Sequence, residues 1–300
     1  MCEKATGMVL SYHPVIPGDV NRLCAGREPD ENDRRWMQRA AAIILPQGCS
    51  ESLYRMAVRY CRHVFPDYRM RFLYPGKIGD IRLFRILGFP HPKSHLFHSV
   101  KFCPPSFWND LRYPVVLKSA HGGEGSLVFK VESAEEAMEP LKIFEGMERS
   151  GFGGFVVQEF VKNDGRDLRV VVIGRTVKSY WRVQRDPTNF LHNTSHGAVI
   201  DRESDPDLQA EGRAWVRALC QRTGINLAGM DLLFRDRSLH QQKNPLFLEI
   251  NYYFGRKGLG GSERFYTLLE KEARAWLKSL GLSDLQPPPT GGKKATRSFP

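Results

Sequence analysis

Polar residues recur on two strand-like segments in the C-terminal half of the chain. Within residues 248–251, Glu249 and Asn251 are two positions apart, so their side chains point to the same face of a strand. Asp231 lies on the strand-like segment 230–234. Two carboxylates and an amide oxygen on one surface suit a hard divalent cation such as Mg²⁺. The alternative is a solvated strand face that binds nothing.

A lysine precedes a glycine-rich segment in the middle of the chain. Lys118 ends the apolar run 114–118, and the sequence H-G-G-E-G follows at 121–125. Backbone N–H groups of such a turn can bind phosphate oxygens, and the lysine adds a positive charge. The G-x-x-x-x-G-K-[ST] string of a P-loop is absent from the sequence. An ordinary flexible hairpin is the alternative interpretation.

Two arginines and a histidine cluster are further candidates for chemistry. Arg169 and Arg182 lie on neighbouring predicted strands, where fixed guanidinium groups can stabilise the negative charge that develops in phosphoryl transfer. The alternative is two exposed arginines in a basic chain. His91, His95 and His98 have no cysteine or acidic partner nearby, so the sequence favours a surface loop over a metal site.

The composition is that of a globular protein with a basic surface. The 300 residues include 44 Lys and Arg against 33 Asp and Glu, a net charge of +11, which favours acidic partners such as nucleotide phosphates. The length suits about two domains. The six scattered cysteines predict free thiols. The sequence shows neither an apolar run of about 20 residues nor a signal peptide, so we expect a cytoplasmic protein without membrane contact.

The hydrophobic pattern predicts an N-terminal part and a larger α+β part. Residues 1–40 have weak periodicity and predict an irregular or helical arm. Beyond the arm, strands at 41–45 and 70–74 flank a helix at 51–62 and form a small α/β unit. The remaining predicted strands are 114–118, 127–131, 155–161, 168–173, 176–183, 230–234 and 246–250. The remaining predicted helices are 78–87, one opening at Ser133, 205–223 and 262–280.

The order of these elements and motifs resembles the ATP-grasp superfamily, and within it the RimK-type ligases, which are relatives of glutathione synthetase. The resemblance is strongest in V-Q-E-F-V at 157–161, in G-R-D-L-R at 165–169, and in Asp231 with Glu249 and Asn251. It implies an α+β architecture, in which two α+β lobes of an ATP-grasp fold clasp ATP after a small Rossmann-like α/β domain.

The resemblance also implies domain boundaries. The N-terminal arm and α/β domain are residues 1–75, and the ATP-grasp domain is residues 76–282. Within the latter, residues 112–162 form the ATP-lid lobe and residues 163–282 the C-terminal lobe. Residues 283–300 are rich in Pro, Gly and Lys and are predicted to be a disordered basic tail.

The resemblance assigns each candidate residue a role. The phosphate ligands are Lys77 and Lys118, under a mobile flap that contains Gly122, Gly123 and Gly125. The adenine hinge is Gln158, Glu159, Phe160 and Val161. Asp167 lies near the nucleotide, Asn193 lines the phosphate and metal region, and His196 is a further nucleotide-binding residue at a position where the family commonly has arginine. The catalytic arginines are Arg169 and Arg182. The ligands of Mg²⁺ or Mn²⁺, commonly two ions in this family, are Asp231, Glu249 and Asn251.

The implied reaction is the ATP-dependent joining of a carboxylate to an amine through an acyl phosphate. The acceptor is a small molecule or a peptide, and the positive net charge is compatible with an acidic one. The alternatives are an ATP-grasp kinase that phosphorylates a hydroxyl and a non-catalytic ATP-binding regulatory protein.

Direct nucleic-acid binding is not favoured, because the basic runs lack interleaved aromatic residues. A homo-oligomer is compatible with the family. The aromatic and basic loop 252–261 departs from the family pattern and is predicted to shape the acceptor pocket.

Overall fold

The computed structural model describes residues 7–122, 125, 127–186, 188–235 and 244–282. The chain divides into two compact units, of which one contains Met1–Pro66 with Leu268–Pro300 and the other contains Asp67–Thr267. The division falls at Pro66, whereas the sequence suggested a boundary after residue 75. The tail predicted at 283–300 lies outside the described residues. Within the described ranges, no helix is both long and apolar enough to cross a membrane.

The first unit contains a parallel four-stranded sheet in the order β2-β1-β3-β4. Its strands are β1 (Val9–Ser11), β2 (Val20–Asn21), β3 (Ala42–Ile44) and β4 (Val64–Phe65), and its helices are α1 (Glu31–Arg39) and α2 (Glu51–Tyr60). The predicted irregular or helical arm at 1–40 is therefore wrong, because two strands and a helix lie there. These strands are too short to show periodicity, and they form by pairing with distant segments.

The sequence pattern predicted helix α2 correctly, but its prediction for residues 70–74 was wrong. The Ser50 side chain accepts a hydrogen bond from the Leu53 N–H and caps α2, as the sequence predicts. The predicted strand at 70–74 is wrong, because α3 (Arg69–Leu73) is a short helix. It is followed by α4 (Gly76–Leu87), which confirms the predicted helix at 78–87. A five-residue apolar run fits one helical turn as well as a strand, and β4 already completes the sheet.

The second unit contains two antiparallel sheets. The first has the order β5-β8-β6-β7 and is formed by β5 (Ser94–Phe97), β6 (Val115–Ser119), β7 (Val128–Val131) and β8 (Phe155–Glu159). Helix α5 (Ala134–Arg149) buries Phe144 against Leu117 and Phe155 of this sheet. The pairing of β6 with β7 confirms the hairpin around the glycine-rich segment. His95 lies on strand β5, which corrects the predicted surface loop.

The second sheet has the order β11-β10-β9-β12-β13. Its strands are β9 (Arg166–Ile173), β10 (Thr176–Val183), β11 (Val199–Asp201), β12 (Leu227–Leu233) and β13 (Leu246–Asn251). Helix α6 (Pro206–Thr223) covers one face, where Val216 packs with Leu168 and Val170 of β9. Because strand side chains alternate, Asp167 and Arg169 point to the opposite face. Helix α7 (Ser262–Ser279) is shared by the two units.

We predict opposite effects for one substitution at two helical glycines. At Gly79 of α4 an added Cβ would lie 2.2 Å from the Tyr74 carbonyl carbon, so Gly79→Ala should lower the free energy of unfolding by about 1–3 kcal/mol. At Gly146 of α5 the nearest atom would be the Arg149 side chain at 3.7 Å, so Gly146→Ala should raise it by up to about 1 kcal/mol. Urea unfolding measures both, and a stabilised Gly79→Ala variant would contradict this packing.

Candidate functional site

One row of polar side chains crosses four strands of the second sheet. Tyr180 on β10 pairs with Arg169 on β9, which pairs with Asp231 on β12, which pairs with Glu249 on β13. Directly opposed residues of an antiparallel pair have Cβ atoms about 4.5–5.5 Å apart. The strand register therefore brings together four side chains that are far apart in the sequence.

Asp231 is the buried centre of this row. Arg169 donates through Nε and Nη2 to its two carboxylate oxygens, with Nη2 2.9 Å from Oδ2. Nη2 of Arg182 lies 3.0 Å from the same Oδ2. Burial opposes ionisation of Asp231, but the two guanidinium groups outweigh it and lower its pKa. Asp231 is therefore a carboxylate at neutral pH.

A second ion pair lies beside the first. Arg182 donates through Nε to Oδ1 of Asp167 at 2.7 Å and through Nη2 to Oδ2. Burial raises the pKa of Asp167, although the Arg182 guanidinium opposes this shift. Nδ1 of His192 is 4.0 Å from Asp167, and burial lowers the pKa of His192, which favours the neutral ring.

The predicted metal ligands lie together at the end of the polar row. Nδ2 of Asn251 is 3.1 Å from Oδ2 of Asp231 and 3.0 Å from Oε1 of Glu249. Two carboxylates and a side-chain amide are donors that fit Mg²⁺. In the described part of the chain, no three or more His, Cys, Asp or Glu residues gather as a metal-binding group. In addition to the carboxylates, the side-chain amide oxygen of Asn251 is the third ligand that a cation here would use.

A cavity between the two sheets collects most of the predicted nucleotide residues. This first cavity is lined by Lys77, Lys118, Gly125, Gln158, Glu159, Phe160, Val161, Asp167, Arg182, Asn193, Asp231 and Glu249. Lining residues that the sequence analysis missed are Pro92, Val116, Val128, Asn163, Phe190, Leu191, His192, Leu233 and Leu248. The missed residues are mostly apolar. Alternation within a strand could have indicated Val116, two positions before Lys118, and Leu233, two positions after Asp231, but the residues outside the strands gave no such signal.

The other predicted residues lie around this cavity or outside it. Arg169 and Asn251 line a second cavity, described below, and Gly122 lines a neighbouring depression. His196 lines neither cavity. A Cβ at Gly125 would lie 3.3 Å from Nε2 of His196, so the glycine-rich loop and His196 are neighbours. Gly123 lies outside the described residues.

Two lysines project into the cavity from different elements. Nζ of Lys118 on β6 donates to Oε1 of Gln158 at 2.7 Å, and burial lowers the pKa of Lys118 to about 8. Nζ of Lys77 on α4 donates to the Gly122 carbonyl oxygen at 3.1 Å and lies 3.8 Å from Oε2 of Glu249. The two ammonium groups give one end of the cavity a positive charge.

Other lining residues of this cavity are apolar, and some of them are aromatic. Phe160 has the Lys130 ammonium 4.6 Å from its ring centre and meets Phe190 edge to face. Glu159 at the end of β8 is paired with Arg235 at 2.7 Å. The cavity thus joins an apolar slot to a row of cations, an arrangement that suits a ligand with a flat aromatic end and a polyphosphate end.

The architecture is that of an ATP-grasp protein. The structure superimposes on a RimK domain ATP-grasp protein from Sphaerobacter thermophilus with a TM-score of 0.59 and 16% identity, over 88% of this chain and 98% of the other. It also superimposes on the D-alanine–D-alanine ligase of Bacillus anthracis complexed with ATP, with a TM-score of 0.59 and 12% identity, over 86% and 88% of the two chains. At these identities the likeness concerns the fold alone.

The sequence places the chain in a narrower group. Residues 89–265, more than half of the chain, match the RimK-like ATP-grasp domain, and the chain belongs to this family. It is 31% identical over 150 residues to a probable alpha-L-glutamate ligase of Xanthomonas campestris, covering 49% of this chain and 47% of that protein. A Shewanella relative, probable alpha-L-glutamate ligase 2, is 30% identical over 150 residues, covering 50% and 46%. The chain thus spans about half the length of the curated relatives it matches.

One residue near the site was not indicated by any motif. Oδ2 of Asp80 on α4 accepts a hydrogen bond from the Ile250 N–H at 3.0 Å. Strand β13 is at the edge of its sheet, so this N–H points away from the neighbouring strand. Ile250 lies between Glu249 and Asn251. Asp80 therefore holds the strand that carries two of the predicted metal ligands.

We predict that a hydrogen-bond acceptor is required at position 80. Asp80→Leu leaves the buried Ile250 N–H without a partner and should lower the free energy of unfolding by about 1–3 kcal/mol. Burial disfavours the charged form of Asp80 and raises its pKa. Asp80→Asn keeps an acceptor oxygen and carries no charge, so the stability of this variant should be close to that of the wild type. Urea unfolding measures both, and an equal loss in the two variants would argue against this role.

Proposed function

We propose that the chain is an Mg-ATP-dependent ligase that activates a carboxylate as an acyl phosphate and joins it to an amine. The observation that carries the proposal is that the two cavities share a wall. Arg182, Asn193 and Glu249 line both of them. A phosphoryl group at this wall would be within reach of a substrate on the other side, which is the arrangement that group transfer requires.

In this proposal the first cavity binds ATP. Val116, Val128 and Phe160 border the apolar end and would enclose the adenine, with Gln158, Glu159 and Val161 as the hinge. Lys77 and Lys118 would bind the phosphates beneath the flap that contains Gly122 and Gly125. The remaining residues proposed near the phosphates are Asp167, Asn193 and His196.

Asp231, Glu249 and Asn251 would hold Mg²⁺ or Mn²⁺, and the proposal includes two ions. When bound, the metal neutralises negative charge on the phosphates. Asp231 also pairs with Arg169 and Arg182 and thereby orients both guanidinium groups. A catalytic site gains most when such charged groups are held in place before the reaction begins.

The chain's own residues would act in two steps. First, a substrate carboxylate oxygen attacks the γ-phosphorus, the bond to the β,γ-bridging oxygen breaks, and ADP leaves with that bonding pair. Arg169 and Arg182 stabilise the charge on the transferred group. Second, an amine attacks the acyl carbon, phosphate leaves, and the amine loses a proton. The positions of the arginines beside the shared wall support this assignment.

The acceptor that we propose is an acidic amino acid or peptide. Two relatives are named as probable alpha-L-glutamate ligases, and the chain has a net charge of +11. A kinase would use the same nucleotide site but would leave a phosphate ester as product. The mass of the product therefore distinguishes these two functions.

We predict that the wild-type protein releases ADP from Mg-ATP when L-glutamate or a glutamate-rich peptide is added, and that Glu249→Gln lowers this rate at least about 100-fold by removing a metal ligand. Glu249 is the better position to test than Asp231, because Asp231 also pairs with two arginines. Glu270→Gln changes a surface carboxylate paired with Arg274 and serves as the matched control, with an unchanged rate.

Three results would count against the proposed function. Failure of the wild-type protein to bind Mg-ATP removes its basis. A Glu249→Gln variant with the full rate removes the metal assignment. A product with the mass of a phosphate ester instead of an amide establishes the kinase.

We predict that nucleotide affinity depends on pH through Lys118. The pKa of Lys118 is about 8 in the free protein, so above this pH the ammonium must regain a proton to bind phosphate. The affinity for Mg-AMP-PNP should fall by up to about tenfold per pH unit above 8. Lys118→Arg stays charged and should give a flatter profile. Calorimetric titration from pH 7 to 9.5 compares the two proteins, and parallel profiles would contradict the prediction.

A further inference from the structure

The second cavity lies beside the row of polar side chains that includes Tyr180, Arg169 and Glu249. Its volume is much larger than the volume that one water molecule needs. It is lined by Arg169, Tyr180, Arg182, Asn193, Thr194, Ser195, Ile200, Glu249, Asn251, Tyr253, Phe254, Gly255, Lys257 and Gly258. Its volume is about 310 Å³, whereas a single water molecule needs only about 10–15 Å³. The cavity therefore has room for a small organic substrate.

Several hydrogen-bond donors in this cavity have no partner among the residues that the structure describes. Arg169 and Arg182 bind carboxylates through Nε and Nη2, and within the described ranges neither Nη1 has an acceptor. The Tyr180 hydroxyl and the Lys257 ammonium also have no acceptor among the described residues. In the described ranges, every fully buried side-chain polar atom has a hydrogen-bond partner. These four donors have none, so they are not fully buried and are accessible from the cavity.

The position of Tyr180 is determined by its strand and by the loop above it. Tyr180 is only 3% exposed and lies opposite Arg169 in the sheet. A Cβ at Gly258 would lie 2.0 Å from Cζ of the Tyr180 ring, so only glycine allows this close approach. Nε of Arg202 donates to the Gly258 carbonyl oxygen at 3.1 Å, and its Nη2 donates to that of Lys257 at 3.2 Å. The loop 252–261 is thereby held against Tyr180.

The unpartnered donors define the chemistry of the ligand. An apolar ligand would leave them desolvated without compensation, and a cationic ligand would be repelled by the two arginines and Lys257. An anionic ligand rich in acceptor oxygens satisfies all of them. Arg182 lines both cavities, whereas Tyr180 and Lys257 line only the second. These two residues are therefore placed to bind a part of the substrate that does not react with ATP.

We propose that Tyr180 and Lys257 are specificity-determining residues that bind a non-reacting side-chain carboxylate of the substrate in the second cavity. The inference rests on the proposed function. The Tyr180 hydroxyl donates a hydrogen bond at the floor of the cavity, and the exposed Lys257 supplies a positive charge at the rim.

The test is equilibrium binding of L-glutamate in the presence of Mg-AMP-PNP. Tyr180→Phe keeps the ring that supports Gly258 and removes only the hydroxyl, and Lys257→Met removes only the charge. Each should weaken L-glutamate binding about tenfold and leave the affinity for AMP-PNP and the melting temperature unchanged. Tyr60→Phe, which lines neither cavity, is the matched control. L-glutamine, with an amide in place of the side-chain carboxylate, should bind the wild type at least about tenfold more weakly than L-glutamate.

The outcomes separate this inference from the proposed function. Wild-type affinity for L-glutamate in Tyr180→Phe and Lys257→Met, equal binding of L-glutamine, or no L-glutamate binding by the wild type would each overturn the inference. Amide formation by the wild type would then still support the ligase. If L-glutamate binding depends on Tyr180 and Lys257 but no ADP is released, the carboxylate site stands and the ligase does not.

Discussion

The site depends on one buried carboxylate, Asp231, which is shared by two guanidinium groups. A buried charge is tolerated only when opposite charges and hydrogen bonds compensate it. Arg169 reaches Asp231 from the adjacent strand and Arg182 from one strand further away. Removing one member of a buried pair costs about 3–5 kcal/mol, because the other is left uncompensated. The three side chains therefore hold one another in a single arrangement, on which the geometry of both cavities rests.

This arrangement needs space as well as charge. A Cβ at Gly229 of β12 would lie 3.2 Å from Nη1 of Arg169 and 3.2 Å from Cβ of Phe254. The glycine leaves room for the guanidinium group between the sheet and the loop 252–261. The arginines use Nε and Nη2 for the acidic residues. Each therefore has a third nitrogen, Nη1, that no described side chain occupies and that can face a ligand. Charges held in this way require little reorganisation when negative charge develops.

Helix α4 shows how the fold joins local and distant information. The sequence predicted a helix at 78–87 that ends at Gly88, because the signals that end a helix lie in neighbouring residues. That Asp80 binds the Ile250 N–H was not predictable, since 170 positions separate the two residues. The same limit explains the wrong prediction at 1–40, where two short strands form by pairing within a sheet. His95 on β5 is a further case, because its strand exists only through pairing with β8. At 70–74 the reason is different, because a run of five residues does not distinguish a helical turn from a strand.

The sequence by itself determined the longer strands and helices of the ATP-grasp part, but not the short strands β5 and β11. It also determined the chemical types in the site: the glycine-rich segment, the lysines, the arginines, and Asp231 with Glu249 and Asn251. Alternation and capping act over a few residues, so they can be recognised in a linear pattern. Only the tertiary structure decided that Asp231 pairs with both arginines, that Tyr180 enters the same row, and that Gly258 lies on its ring. Those contacts follow from strand register and loop packing, which bring together residues that no local pattern connects.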